Sequence, residues 1–220
     1  MAPLIDLHSH TFHSDGVLVP SELARRAQVA GYDRLAMTDH VDASNIEQVL
    51  GALRRAADVI NRHTDLRVLV GCELTHVPPA AIGELTQEAR RLGAQIVLMH
   101  GETIVEPVAP GTNMAAIEAG VDILAHPGLI SEDEAKAAAE RGVALEITAR
   151  KGHSLTNGHV AAVGRACGCR FSIGSDAHEP GDLLSAEHLS HVLRGAGLSD
   201  SEMDAVVEST LNLAETAEDR

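Results

Sequence analysis

Seven short apolar runs, at 4–7, 35–38, 68–73, 96–100, 123–126, 144–148 and 171–175, recur through this chain of 220 residues. None shows the in-out alternation of a strand with one wet face. Each therefore reads as a strand covered on both sides, as in a parallel sheet. Helical patterns lie between them. The clearest sets Ile46, Val49, Leu50, Leu53, Ala57 and Ile60 on one face at i, i+3, i+4 and i+7 spacing, behind a capping box predicted from Ser44 to Glu47. Gly31, Gly93, Gly120, Gly142 and Gly168 each follow a helical pattern and precede a strand, where a left-handed residue ends a helix. Each strand-plus-helix unit takes ~28 residues, close to a βαβ repeat, and right-handed crossovers wind the strands one way. The expected architecture is α/β, a distorted (β/α)7 TIM-like barrel one strand short of the familiar eight, with an open doubly wound sheet as the second choice. A final helix is expected at about 199–216, over an edge or the barrel floor. Neither a linker nor a low-complexity stretch interrupts the period, so residues 1–220 read as one barrel domain.

Composition narrows the function. Lys and Arg number 17 against 32 Asp and Glu, a net charge of −15 that repels phosphate backbones unless bound cations intervene. With two Phe, one Tyr and no Trp, stacking platforms for single-stranded nucleic acid are nearly absent. Nucleic acid is thus disfavoured as a partner. Three cysteines, Cys72, Cys167 and Cys169, make no disulfide framework and read as small apolar fillers in a reducing compartment. The N-terminus lacks a basic, then apolar leader, and no run of ~18 apolar residues occurs, so a cytoplasmic location off the membrane is expected.

Nearly every predicted strand ends in a potential metal ligand: His8 and His10, Asp39 and His40, Glu73, His100, His126, then Asp176 and His178. In a parallel barrel these ends share one mouth. Imidazoles and carboxylates crowded there are costly if unpaired, and divalent cations convert that cost into coordination. The i, i+2 spacing of His8 and His10 turns both imidazoles to one side of an extended segment, which suits chelation of one ion. Asp39, facing the other way beside His40, is assigned to support. For Asp6, a hydrogen bond to a histidine ligand and a plain backbone hydrogen bond both stand. His13, His63, His159, His188 and His191 read as solvated.

The blocks Asp6-Leu7-His8-Ser9-His10, Ser14-Asp15-Gly16, Thr38-Asp39-His40, Gly71-Cys72-Glu73, His100, Ala125-His126-Pro127 and Ser175-Asp176-Ala177-His178 follow one another at successive strand ends. In this order and spacing, over almost the entire chain, the sequence resembles the PHP (polymerase and histidinol phosphatase) family. The resemblance implies a three-metal cluster: His8, His10, Glu73 and Asp176 on one ion, Glu73 bridging to a second held by His100 and His126, and Asp15, His40 and His178 on a third. Two to three divalent ions are expected, and His/carboxylate donors suit zinc, manganese or iron. The implied function is a metal-dependent phosphoesterase, first a phosphatase that hydrolyses a small phosphomonoester such as histidinol phosphate or a nucleotide through metal-activated hydroxide. An exonuclease or phosphodiesterase of the same family is the alternative, and a non-catalytic metal-binding module the third reading. No ligand position is missing, which speaks against the last.

Phosphate also needs a cation. Arg150-Lys151-Gly152-His153 follows the run at 144–148, the one strand end without a metal ligand. Arg150 is expected to fork onto phosphate oxygens in binding and catalysis, with Lys151 and His76 as further substrate contacts. His153 and Glu102, near other strand ends, are the catalytic candidates for protonating the leaving alkoxide.

Overall fold

The computed structural model describes residues 4–220. The chain runs β1 (Leu4–Asp6), α1 (Pro20–Ala30), β2 (Tyr32–Met37), β3 (His40–Val41), α2 (Ile46–His63), β4 (Arg67–Leu74), α3 (Ile82–Arg91), β5 (Ile96–His100), α4 (Thr112–Ala119), β6 (Ile123–Ala125), α5 (Glu132–Arg141), β7 (Ala144–Thr148), α6 (Asn157–Cys167), β8 (Phe171–Gly174), α7 (Ala186–Gly195) and α8 (Asp200–Glu218). All ladders are parallel, in the order β1-β2-β4-β5-β6-β7-β8, with the two-residue β3 prolonging β2 alongside β4. Seven strand positions thus curl into a nearly closed barrel, as the apolar runs require, and the open doubly wound alternative is set aside. The last helix covers Asp200–Glu218 behind a Ser199–Glu202 capping box.

Closure is uneven. At the mouth the segments after β1 and β8 bond directly: the His10 N–H donates to the Ala177 carbonyl at 2.8 Å and the Asp176 N–H to that of His8 at 2.9 Å. Lower down, β1 and β8 share no ladder, and α8 fills the gap. Thr210 on α8 accepts the Ile173 N–H, a donor on β8, at 3.2 Å. Below the mouth the barrel interior is apolar: Ile5, Leu7, Ala36, Leu69, Ile96, Leu98, Ile123 and Ala144 pack against Leu213, Ala214 and Ala217 of α8. A second apolar layer lies between strands and outer helices. Among the described residues no helix is long and apolar enough to cross a membrane.

Gly31, Gly93, Gly120, Gly142 and Gly168 all take left-handed φ between 70° and 88°, as their positions after helices demand. The capping box predicted at Ser44 does not form. Asp42 accepts both the N–H and the hydroxyl of Ser44, at 2.7 and 2.6 Å, and α2 starts behind Asn45, whose amide donates to the His40 carbonyl. A local Asx turn has outcompeted the cap.

Since α8 both plugs the floor and seals the β1–β8 gap, Leu213→Ala should cost about 2–5 kcal/mol, the usual range for a buried Leu→Ala change. Urea unfolding checks this; a change under about 0.5 kcal/mol would mean that the helix merely rests on the barrel.

Candidate metal centre

Parallel strands direct alternate side chains into the barrel, so on β4, β5 and β7 one parity sets both floor and mouth, whereas after β1 and β6 the parity breaks, inward Ile5, Leu7 and Ile123 being followed by His8, His10 and His126. Leu69 and Glu73 share the inward face of β4, Leu98 and His100 that of β5, and Ala144 and Glu146 that of β7. The floor takes the apolar members and the mouth the titratable ones. Three site residues hold backbone in the left-handed region, His76 (φ 52°), His126 (φ 29°) and Asp176 (φ 53°). For residues with a Cβ this costs roughly 1–3 kcal/mol each and persists only where surroundings impose it. Here the N–H of His126 is held by Glu146 Oε2 at 3.1 Å and that of Asp176 by the His8 carbonyl.

Glu73, with no solvent exposure, is the centre. Its Oε2 lies 3.5 Å from His8 Nε2, 3.6 Å from His10 Nε2 and 2.8 Å from His40 Nδ1. Its Oε1 lies 3.4 Å from His100 Nδ1 and 3.3 Å from His126 Nε2. Asp176 faces the same volume, with Oδ1 3.2 Å from His10 Nε2 and 3.8 Å from His8 Nε2, and Oδ2 3.7 Å from His126 Nε2. At the rim Asp15 Oδ1 meets His178 Nε2 at 3.1 Å and His40 Nε2 at 3.6 Å. The structure therefore brings His8, His10, Asp15, His40, Glu73, His100, His126, Asp176 and His178 to one mouth. Donor groups that could hold an ion include His8/His10/Glu73, His40/Glu73/His100 and His10/Asp15/His40/His178. His10 and His40 thus each face two groups, where the sequence reading gave them one.

The hydrogen bonding is incomplete in a way that fits cations. His8 Nε2, both ring nitrogens of His10, His100 and His126, both oxygens of Glu73 and Asp176 Oδ1 are buried without a hydrogen-bond partner. Orphaned buried polar atoms at this density are far outside the ordinary few per chain. Donor atoms ~2.0–2.2 Å from one zinc-like ion lie roughly 3.3–3.6 Å from each other, and the spacings around Glu73 and Asp176 bracket that range. The electrostatics agree. Burial disfavours a charged Glu73, but His8, His40, His100 and His126 hold it well below the usual carboxylate range. Burial likewise opposes a charged His40, yet Glu73 and Asp15 raise it to about 9, whereas burial and His40 push His10 down to about 4.

Supporting residues are equally specific. Glu146 carries no role in the sequence pattern: buried on β7, it accepts from His8 Nδ1 at 2.7 Å and so turns His8 Nε2 toward Glu73. Asp6 takes the backbone role, accepting the N–H of His8 and of Ser175, both at 3.1 Å. Asp39 collects the N–H and hydroxyl of Thr11 and of Ser14, fixing the loop that carries Asp15.

The remaining candidates divide. Arg150 lies beside the Asp15/His178 rim, its Nη1 3.1 Å from Asp182 Oδ2, and with Lys151, Asp15, Val17, His178, Glu179 and Asp182 it lines a cleft of about 520 Å3. His153 stacks on His126 at 4.2 Å between ring centroids and is hydrogen-bonded through Nδ1 to Thr103 at 2.7 Å; burial depresses its pKa to about 4. His76 lies over His100, ring centroids 5.0 Å apart. Glu102 is not brought in: its Oε1 accepts the N–H of Gly111 and Asn113, at 3.0 and 2.9 Å, at the start of α4. Phe12, Val17, Ile104, Val105 and Leu129 on loops and Leu155 on a short 3-10 turn, all exposed, lie on the segments that follow the strands at the mouth.

Gly174 allows Glu146 and His8 to approach β8. A Cβ there would collide with Glu146 Oε1 and stand 2.9 Å from His8 Cβ. Gly174→Ala should therefore cost about 1–3 kcal/mol by overpacking, and much less in a Glu146→Ala background. A double-mutant cycle of unfolding free energies checks the coupling; additive costs would refute this contact.

The family model of the PHP domain matches residues 6–100. The chain is 44% identical over 201 residues to an uncharacterized protein of Methanocaldococcus jannaschii, covering 90% of this chain and 92% of that one. It is 29% identical over 214 residues to a protein of Edwardsiella ictaluri described as a probable phosphatase, covering 86% and 84%. Over 75 residues it is 32% identical to a 5'-3' exoribonuclease of Haemophilus influenzae, 34% of this chain and 24% of that one. Among solved structures, a Listeria monocytogenes protein provisionally named histidinol phosphatase aligns with a TM-score of 0.58 at 12% identity, covering 82% of this chain and 97% of that one. The strand-end blocks Asp6 to His100 lie within the matched segment, and the M. jannaschii match extends the likeness over the rest: the chain belongs to the PHP domain family.

Proposed function

We propose that the chain is a metal-dependent phosphatase of small phosphomonoesters, working with two to three zinc, manganese or iron ions held by His8, His10, Asp15, His40, Glu73, His100, His126, Asp176 and His178. The observation that carries this reading is the convergence of buried, unpartnered donor atoms on Glu73 and Asp176 beside a cleft walled by Arg150. When bound by these residues, divalent ions would supply an activated water, with a pKa lowered toward ~7 on zinc, and charge for the phosphate oxygens. The chain's own groups do the rest. Arg150, half-buried and paired to Asp182 through one Nη, lines the cleft, where its guanidinium would bind a phosphate in the Asp15/His178 sector. Lys151 adds a second, exposed cation. His153, held neutral by burial and oriented by Thr103, offers a hydrogen bond to the leaving oxygen on the His126 side. Glu102 stays a helix-capping group.

The apolar rim of Phe12, Val105, Leu129 and Leu155 suits an ester that carries a flat ring, as histidinol phosphate and nucleotides both do. The E. ictaluri relative described as a probable phosphatase supports the phosphatase reading over most of both chains. Exonuclease activity is the second reading, favoured by the likeness to the H. influenzae exoribonuclease and opposed by the net charge of −15.

Phosphate release from histidinol phosphate and nucleoside monophosphates, set beside nucleotide release from short RNA and DNA, separates the two. Metal-loaded protein should release phosphate from monoesters and lose the activity on chelation; hydrolysis of oligonucleotides alone would reverse the order. Arg150→Ala should keep its metal and lose roughly 10- to 150-fold in kcat/KM, the equivalent of a charge-assisted hydrogen bond of ~1.5–3 kcal/mol. Wild-type kinetics in that variant would make Arg150 a structural turn residue.

A further inference from the structure

Glu106 belongs to no block that defines the family resemblance, yet three imidazoles converge on its carboxylate. His76 Nε2 donates to Oε2 at 3.2 Å, His100 Nε2 lies 3.0 Å from the same oxygen, and His153 Nε2 lies 3.5 Å from Oε1. Two of these three rings border the second ion position: His100 would be one of its ligands, and His153 stacks on the other, His126. The ring of His100 has a side for each carboxylate. Its Nδ1 faces Glu73 Oε1 at 3.4 Å, and its Nε2, on the far edge, faces Glu106. Both nitrogens are buried and without a hydrogen-bond partner, Glu106 lying out of line for one although within reach.

An imidazole that coordinates through Nδ1 keeps its proton on Nε2, and that proton needs an acceptor in a buried site. Glu106 is the carboxylate placed to take it, 3.0 Å from that nitrogen. The loop is built for this placement. Glu102 anchors the far end of the loop at α4, Thr103 is hydrogen-bonded to His153, and between these two ties Glu106 is exposed, with its carboxylate against His76, His100 and His153. We infer that Glu106 is a positioning residue of the second ion position, fixing His100 with Nδ1 toward Glu73 by accepting from its Nε2–H. The inference rests on the reading that the cluster holds ions, and its test separates the two.

Zn2+ is titrated calorimetrically into the metal-stripped full chain and its variants, each checked for cooperative unfolding. His126→Ala removes the binding step that belongs to the second position. Glu106→Gln, which keeps the shape and removes the charge, should weaken that same step about 10- to 100-fold, the usual cost of losing a histidine ligand's outer partner, while the other steps stay within about threefold. Glu106→Asp should recover part of the loss. Thr103→Val frees the same loop from His153 without touching His100, and should leave the step within about threefold. An unchanged second step in Glu106→Gln overturns the inference, as does an equal loss in Thr103→Val, which would reduce Glu106 to a loop tether. Zn2+ uptake absent from the wild-type chain would overturn the metal reading itself, and this inference with it.

Discussion

Five imidazoles stand within 3.6 Å of a single, fully buried carboxylate, that of Glu73, at the mouth of a parallel barrel. Such a set is costly as plain side chains in a low-dielectric interior, because its buried donors and acceptors are left without hydrogen-bond partners. It becomes stable when shared cations, or shared protons, fill the centre. The rest of the molecule is arranged to keep this volume assembled. The left-handed backbone at His126 and Asp176, the direct bonds between the segments after β1 and β8, and the Glu146 brace on His8 all oppose its relaxation.

A division of labour runs along the barrel axis. The floor is ordinary apolar packing, completed by α8, and supplies the stability that the mouth spends on strain and on unpaired donors. Above it, carboxylates that face no ion hold the loops that do. Asp39 fixes the loop of Asp15, Glu102 the start of α4, and Asp182 both Arg150 and the N–H groups of His178 and Glu179. Placement of the mouth loops thus follows from acids that accept backbone N–H groups, near in sequence for Asp182 and farther off for Glu102 and Asp39, with Asp182 also taking the Arg150 side chain.

Much of this arrangement is legible in the sequence. Period and strand composition placed all seven main strands to within a few residues, and the helix-ending glycines marked five boundaries, because a left-handed residue has few other solutions there. The ligand-type residues were visible because a parallel barrel sends every strand end to one face. What escaped shows where the pattern loses force. Glu146 sits inside an apolar run rather than at its end, although its shared parity with Ala144 marks an inward carboxylate. Glu106 lies in an irregular loop with no period to fix its direction. At Ser44 the capping pattern was present, but Asp42 competed for the same donors. Glu102 carried the right chemistry near the right strand and was drawn instead to the free N–H groups of α4. These are contests between nearby acceptors, decided by loop geometry that spacing does not encode.

The metal content of the purified, unchelated protein tests the central claim most directly. Elemental analysis should find two to three transition-metal ions per chain, with Glu73→Ala losing ions from two positions at once because both of its oxygens face separate donor groups. Less than about one ion per chain that cannot be restored by incubation with zinc, manganese or iron would contradict it, and would leave the buried donors around Glu73 to be explained by shared protons alone.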